Sequence, residues 1–373
     1  MTMQACRSGD EFLEKMQWLI VNNDMTSSYK LALLLAVMRR ALDPLQNYFV
    51  DAQTLRIPFD DLSREFLRLY WHQGRVYSET KVIVQLTNQQ ANLRIFGLIR
   101  KFCEAHAGRG ELRFSQAAGL ADFPALVRRC TAEVVKKNPV KFIHGHEFFF
   151  EVNKTRDGVC VSAQTTAYLR RFQPMLTELI ESRWEAFVRG LKSNRDIFGV
   201  NSRQSLRDFL FRPEGRDALE DAYVLLDRTC RQRHCFYCGA NLSKSKVHVD
   251  HFLPFSRYYP TQAFNFVLAC SNCNSSKSDY LAAADHVRHW IERNELYAGA
   301  MIDACRGIME SGVIAVPQTA VALYETAARS GEGLWVQRKT EAIKPTTSSF
   351  DFSAYDIPEL LRQHLQVMRS HAL

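Results

Sequence analysis

The stretch CFYCGANLSKSKVHVDHFLPFSRYYPTQAFNFVLACSNCNSSK runs from Cys235 to Lys277. It holds two C-x-x-C pairs, Cys235 with Cys238 and Cys270 with Cys273. Two such pairs across a loop of this size have the spacing of zinc ligands. Each pair can form a tight knuckle that presents two sulfurs to one ion, and Gly239 directly after the first permits the sharp backbone turn. Four thiolates leave no open coordination position, so Cys235, Cys238, Cys270 and Cys273 are expected to hold a structural Zn2+. The plain alternative is two unrelated cysteine pairs in a core, which would not require both pairs to carry this spacing.

Between and beside the cysteines lie Asp250, His251, Asn265, Asn274 and Lys277. Cutting a phosphodiester needs an activated water and stabilisation of charge on phosphorus and on the leaving oxygen. A neutral histidine can take the proton from water near pH 7. A hard cation such as Mg2+ or Mn2+, held by one or two protein oxygens with water and phosphate completing its shell, can supply the charge. His251 is therefore the candidate base, and Asp250 and Asn274 are the candidate ligands of a catalytic Mg2+ or Mn2+. Asp250 and His251 are adjacent, and on a straight strand they face opposite sides. The step is expected at a strand end or bend, and Pro254 fits that departure.

The arrangement resembles the HNH endonuclease family in its zinc-knuckle form, a β-hairpin and helix around one metal. The resemblance covers roughly Arg231–Tyr280. It implies that Asp250-His251 supplies a metal ligand and the general base. It implies that Asn265 fixes the loop that orients the histidine, and that Asn274 completes the metal site. Pro254 matches the D-H-x-x-P pattern. Lys277 matches the lysine that often ends the motif, with phosphate contact as its expected role. The loop SRYYPTQA departs from the pattern, lacking the Gly-rich step before the middle asparagine. Each residue alone has an inert reading: a surface charge, a satisfied histidine, a turn asparagine. Their order inside a zinc frame favours the nuclease.

Further candidate phosphate contacts are Arg257, Lys246 and Lys244, near Arg231, Arg233, Tyr258 and Tyr259. Basic groups with interleaved aromatics suit a nucleic-acid groove; a solvated basic face is the alternative. His248 and His234 flank the motif and read as structural and surface residues.

The whole chain has 373 residues, 46% of them hydrophobic, enough for a full core and two or more domains. Its net charge of +8 and pI near 9.0 favour an anionic partner, nucleic acid first. No run reaches the ~18 apolar residues of a membrane span, and the beginning of the chain lacks signal-peptide character. Ten cysteines without an export signal point to a reducing, cytoplasmic setting and to thiolate metal binding rather than disulfides. Cys6, Cys103, Cys130, Cys160, Cys230 and Cys305 have no metal-like spacing and read as small core residues.

The fold class expected is α+β, mainly helical. Residues 1–200 read as a helical recognition or regulatory domain with a β-hairpin near 141–162. Residues 201–230 read as a connection and lead-in helix, 231–285 as the nuclease module, and 286–373 as a helical extension. Helices are predicted over Tyr29–Arg40, after Pro58, over Lys81–Gly97, Phe123–Lys137 and Gln164–Leu191, with Pro174 as a kink site. Lys141–Asn153 is predicted as a strand that turns at Asp157-Gly158. Later helices are predicted over Leu219–Arg231, Leu281–Asn294, Ala298–Met309, Thr319–Arg329 and Pro358–Ser370, with a loop over Lys344–Ser353. The N-terminal or C-terminal helices are candidate surfaces for a protein partner or second subunit. The functional expectation is a metal-dependent endonuclease acting on DNA, by analogy of a bacterial restriction or anti-phage defence type. The alternatives are an RNase using the same site and a non-catalytic zinc module that binds nucleic acid.

Overall fold

The computed structural model describes residues 6–371 apart from 22–24, 43–48, 52, 79–80, 89–91, 107–111, 138, 143–145, 147, 199–204, 212–214, 243–246, 259, 307, 337–348 and 352–355. Among the described residues there are fourteen α-helices and ten short strands, an α+β chain dominated by helix. The chain forms two compact units, Met1–Pro213 and Glu214–Leu373.

In the first unit the helix Tyr29–Leu42 is apolar on nearly every side, and Leu31 through Val37 are fully buried. A helix apolar all round sits at the centre of a core. The long helix Ala163–Gly190 packs on it and is capped by Ser162, whose hydroxyl accepts the Thr165 amide at 3.0 Å. Pro174 lies inside that helix. The antiparallel sheet has the order Phe49–Asp51, Thr54–Pro58, Gly158–Ser162, Glu151–Val152. The predicted hairpin is present, but its first strand is only Glu151–Val152, and Pro139–Phe142 is a helical turn. At its return, Gly158 passes so close to the neighbouring strand that a Cβ would lie 2.5 Å from the Ile57 carbonyl oxygen.

Two further predictions in this unit need correction. Lys81–Gly97 is not one helix: Lys81–Val82 is a strand and the helix begins at Arg94. Of the segment between, residues 83–86 enter the core and are held by side chains. Gln85 Oε1 accepts from Ser28 Oγ at 2.8 Å and from Trp184 Nε1 at 2.8 Å, and Gln85 Nε2 donates to Gln73 Oε1 at 2.6 Å. Asn194 pairs with both backbone groups of Val84. The helix from Phe123 changes to a π-turn over Thr131–Val135, where Thr131 Oγ1 donates to Asp60 Oδ1 at 2.6 Å.

In the second unit the helix Gly215–Thr229 leads to an antiparallel hairpin, Val247–His251 with Phe266–Cys270. The short helix Ser271–Lys277 follows directly. Where two helices were predicted, one runs unbroken over Ala284–Cys305. Ala315–Ser330 and Ile357–His371 complete the helices. Ser349–Asp351, predicted as loop, is a strand paired with Leu334–Val336, an edge pairing that local composition does not reveal. Phe252, Phe264 and Phe266 from the hairpin region share one core with Trp290, Tyr324, Trp335 and Leu361 from the trailing segments. Trp290 stacks on Phe252 at 4.8 Å and donates to the Phe264 carbonyl at 3.0 Å. The final helix packs within this unit, with His364 Nδ1 2.8 Å from Glu295 and Arg362 paired to Glu325.

Candidate functional site

The four predicted zinc ligands converge: the sulfurs of Cys235, Cys238, Cys270 and Cys273 all lie within 4.8 Å of one another. The Cys238 and Cys270 sulfurs are 3.9 Å apart. A tetrahedron with Zn–S bonds of ~2.3 Å has edges of about 3.8 Å, so these residues fit a zinc ion. The first knuckle is closed by the Gly239 amide on the Cys235 carbonyl at 2.9 Å, with Gly239 at φ +74°. The second begins where the strand ends at Cys270, whose amide points at Cys235 Sγ at 3.3 Å. The Cys273 thiol and neighbouring backbone amides pull the Cys235 thiol down to about 4. The same hydrogen bond pushes Cys273 upward. Metal binding to such a cluster would release its thiol protons.

The Asp250-His251 step ends its strand, opposite Val267 and Phe266. After it the chain bends at Phe252-Leu253 and reaches Pro254. Asn265 is fully buried and braces that bend. Its Oδ1 accepts the Leu253 amide at 2.7 Å, its Nδ2 donates to the Leu253 carbonyl at 3.1 Å, and its own carbonyl accepts the Phe252 amide at 2.7 Å. The His251 ring lies between Phe255 and Phe266, with centroids at 5.1 and 4.7 Å. Among the described residues neither ring nitrogen has a hydrogen-bond partner. Burial, then the charge of Lys277, lowers the His251 pKa to about 4, so the imidazole is neutral at pH 7.

Asp250 is buried, and its Oδ2 takes the Tyr237 hydroxyl at 2.6 Å and Lys277 Nζ at 3.2 Å. Burial pushes its pKa up, against Lys277 and Tyr237. Asn274 is half-buried, one turn before Lys277 on the same face of Ser271–Lys277. Because Lys277 reaches Asp250, that face is turned toward the end of the strand.

The expected phosphate contacts fare differently. Lys277 has 0% exposure, and its ammonium donates to the His251 carbonyl at 2.8 Å beside Asp250. It is a buried clamp, so its assignment to phosphate is corrected on steric grounds. Arg257 is engaged by Glu332, Nη1 to Oε2 at 2.9 Å, with a second short contact completing the fork, so its charge is already paired. Lys244 and Lys246 lie outside the described residues, as does Tyr259. Arg233 is exposed and paired with Asp227, Tyr258 is buried, and His234 and His248 are exposed.

The chain belongs to the DUF8808 family and carries an HNH endonuclease domain. The first match, to a domain of unknown function, spans residues 9–208, more than half the chain. The HNH endonuclease match spans residues 235–283, from the first zinc cysteine to just beyond the helix that carries Asn274 and Lys277. No curated protein and no solved structure matches the chain. The HNH domain implies a nucleic-acid substrate. No helix among the described residues is long and apolar enough to cross a membrane.

Several residues that shape the HNH domain escaped the motif reading. Tyr237 sits between two cysteines of the four-cysteine cluster and bonds Asp250. Arg293, buried on the helix after the domain, donates to the Phe266 carbonyl at 2.9 Å and to the Phe264 carbonyl at 3.3 Å, on either side of Asn265. Trp335 donates to Ser276 Oγ at 3.1 Å. The aromatic inside the first knuckle was a visible signal for Tyr237; Arg293 and Trp335 had none, because they meet the motif only in space.

Proposed function

We propose that this protein is a metal-dependent endonuclease that hydrolyses phosphodiester bonds of DNA. The observation that carries the reading is the His251 imidazole, kept neutral by burial and by Lys277, with no partner among the described residues for either ring nitrogen. An imidazole in that state can accept a proton from an attacking water near pH 7. The Asn265 brace and the Lys277 bond to the His251 carbonyl hold the backbone that carries the ring. Asp250 and Asn274 would hold a divalent cation, Mg2+ or Mn2+, through a carboxylate and an amide oxygen, a hard donor set that suits it. Bound there, the ion would neutralise charge on the phosphate and on the leaving 3′-oxygen. Water adds to phosphorus, the P–O3′ bond breaks, and His251 takes the water's proton. The structural Zn2+ of the four cysteines would hold the frame. The setting we propose is bacterial restriction or anti-phage defence, an analogy from a nuclease joined to a large helical companion.

The test is incubation of the full chain with supercoiled plasmid, linear duplex, single-stranded DNA and RNA, with magnesium, manganese or chelator. Metal-dependent DNA cutting by the wild type that His251→Ala abolishes is the expected result. Cutting of RNA alone would replace the substrate, and cutting retained by His251→Ala would overturn the assignment of the base.

A further inference from the structure

Asp250 is held by more than the motif. Its Oδ2 receives two donors, the Tyr237 hydroxyl at 2.6 Å and Lys277 Nζ at 3.2 Å. No side chain among the described residues bonds Oδ1. A carboxylate turns easily about its last torsion, which has broad, two-fold wells. The two donors on Oδ2 oppose that turn, and the backbone amide of His251 bonds the same carboxylate.

Tyr237 has little freedom of its own. It is nearly fully buried, and three rings cage it edge to face: Phe236 at 5.1 Å, Trp335 at 5.1 Å and His286 at 5.3 Å. Its backbone is fixed because Cys235 and Cys238 flank it in the zinc knuckle. Trp335 is fixed in turn, with its amide on the Leu281 carbonyl and its carbonyl on the Ala283 amide, both at 2.8 Å. Its indole reaches Ser276 on the helix that carries Asn274. A chain of short contacts therefore runs from the zinc knuckle and the trailing segment to one oxygen of the candidate metal ligand.

We propose that Tyr237 is a positioning residue for the divalent ion: by holding Asp250 Oδ2 it fixes the rotation of the carboxylate, and the zinc knuckle thereby sets the affinity of the cutting site. This rests on the reading of Asp250 as a ligand of that ion. A merely structural tyrosine would bury the same charge without tuning metal affinity. Hydrogen-bond partners of metal ligands typically change affinity by roughly 10–100-fold when removed.

The experiment is calorimetric titration of Mn2+ into the zinc-loaded full chain, with Mn2+ electron paramagnetic resonance as a second readout. Wild type, Tyr237→Phe, Trp335→Phe and Asp250→Ala are compared, each with its zinc content measured. Tyr237→Phe is expected to keep one zinc per chain and weaken Mn2+ binding at least about tenfold. Cleavage at saturating Mn2+ should stay near the wild-type rate. Trp335→Phe keeps the hydroxyl but loosens its cage, and is expected to weaken Mn2+ by a smaller factor. Tyr237→Phe binding Mn2+ as tightly as wild type, while Asp250→Ala loses it, overturns the positioning role and leaves the metal site standing. Wild-type affinity in Asp250→Ala, or no Mn2+ uptake by the wild type, overturns the metal site and the positioning role together. If Tyr237→Phe loses zinc, Trp335→Phe decides, and unchanged Mn2+ affinity there overturns the proposal.

Discussion

At the scale of single residues, the chemistry depends on which charges are buried and what faces them. His251 has its pKa lowered to about 4 by burial and by Lys277, so its unprotonated form is the one present above that value. The cleavage rate at saturating metal should therefore hold between pH 7 and about 5 and fall as pH drops through about 4. A rate that already halves near pH 6.5 would show that the histidine is not in this environment. In the first unit, Glu65 is fully buried beside Arg40 at 3.0 Å, with Arg39 and Arg68 each at 3.7 Å. Burial pushes its carboxyl up, but Arg68, Arg40 and Arg39 outweigh that and hold it at about 2. Its folded pKa is below the unfolded one, so its contribution is complete above about pH 4.5 and disappears as pH falls through about 2. Glu65→Gln leaves the arginines without their counter-charge and should destabilise the first unit by about 3–5 kcal/mol in urea unfolding at pH 7. A change below 1 kcal/mol would mean that solvent already screens the cluster.

At the scale of elements, the extended stretch after Val82 is the instructive case. Its composition, rich in Ile, Val, Leu and Gln, allows a helix as readily as a strand. Gln85 settles the matter by bonding Ser28, Gln73 and Trp184, three residues far away in sequence. Such a network stabilises only when every member is satisfied. Gln85→Ala should cost about 1–3 kcal/mol for each partner left unpaired, read as a lowered urea midpoint with an unchanged slope. A neutral substitution would show that water replaces the amide. The hairpin of the HNH domain behaves oppositely. Its identity is legible because its two ends are marked by metal-ligand cysteines, and Asp250-His251 lies at the strand end where the adjacent pair had to be. The helix Ala284–Cys305 spans what the linear chain divides into Leu281–Asn294 and Ala298–Met309. Asn294 and Arg293 are both buried there, and Arg293 bonds the carbonyls of Phe264 and Phe266.

At the scale of the whole molecule, two compact units have different sources of stability. The first has a large apolar core and, among its described residues, no group of cysteines, histidines and carboxylates that could hold a metal. The second combines a smaller core with the four-cysteine cluster. Zinc binding by such a cluster contributes directly to folding. Strong chelation, or Cys270→Ser, should therefore lower the melting transition of the second unit and leave that of the first in place. Calorimetry resolves this as two transitions of which only one moves. A single transition shifted as a whole would show that the units unfold together. Residues 9–208 carry the DUF8808 match, while the trailing helices lie outside both family matches. Trp290, Arg293 and Trp335 nevertheless build the back of the HNH domain.

The four cysteines that converge, the candidate base and its flanking carboxylate stand out in the linear chain. Their chemistry demands particular residue types at short, fixed spacings, and local geometry enforces those spacings. The same holds for the mainly helical class, since amphipathic periodicity is a local property. The roles of Lys277, Arg257 and Tyr237 could not be recognised there. A lysine near a nuclease motif has the same letter whether it meets phosphate or lies buried against a carboxylate. Which it does depends on what folds over it from elsewhere: Glu332 onto Arg257, and Trp335 and His286 onto Tyr237. Burial and long-range pairing are set only when distant segments share one core, and no spacing rule within a single segment carries that information.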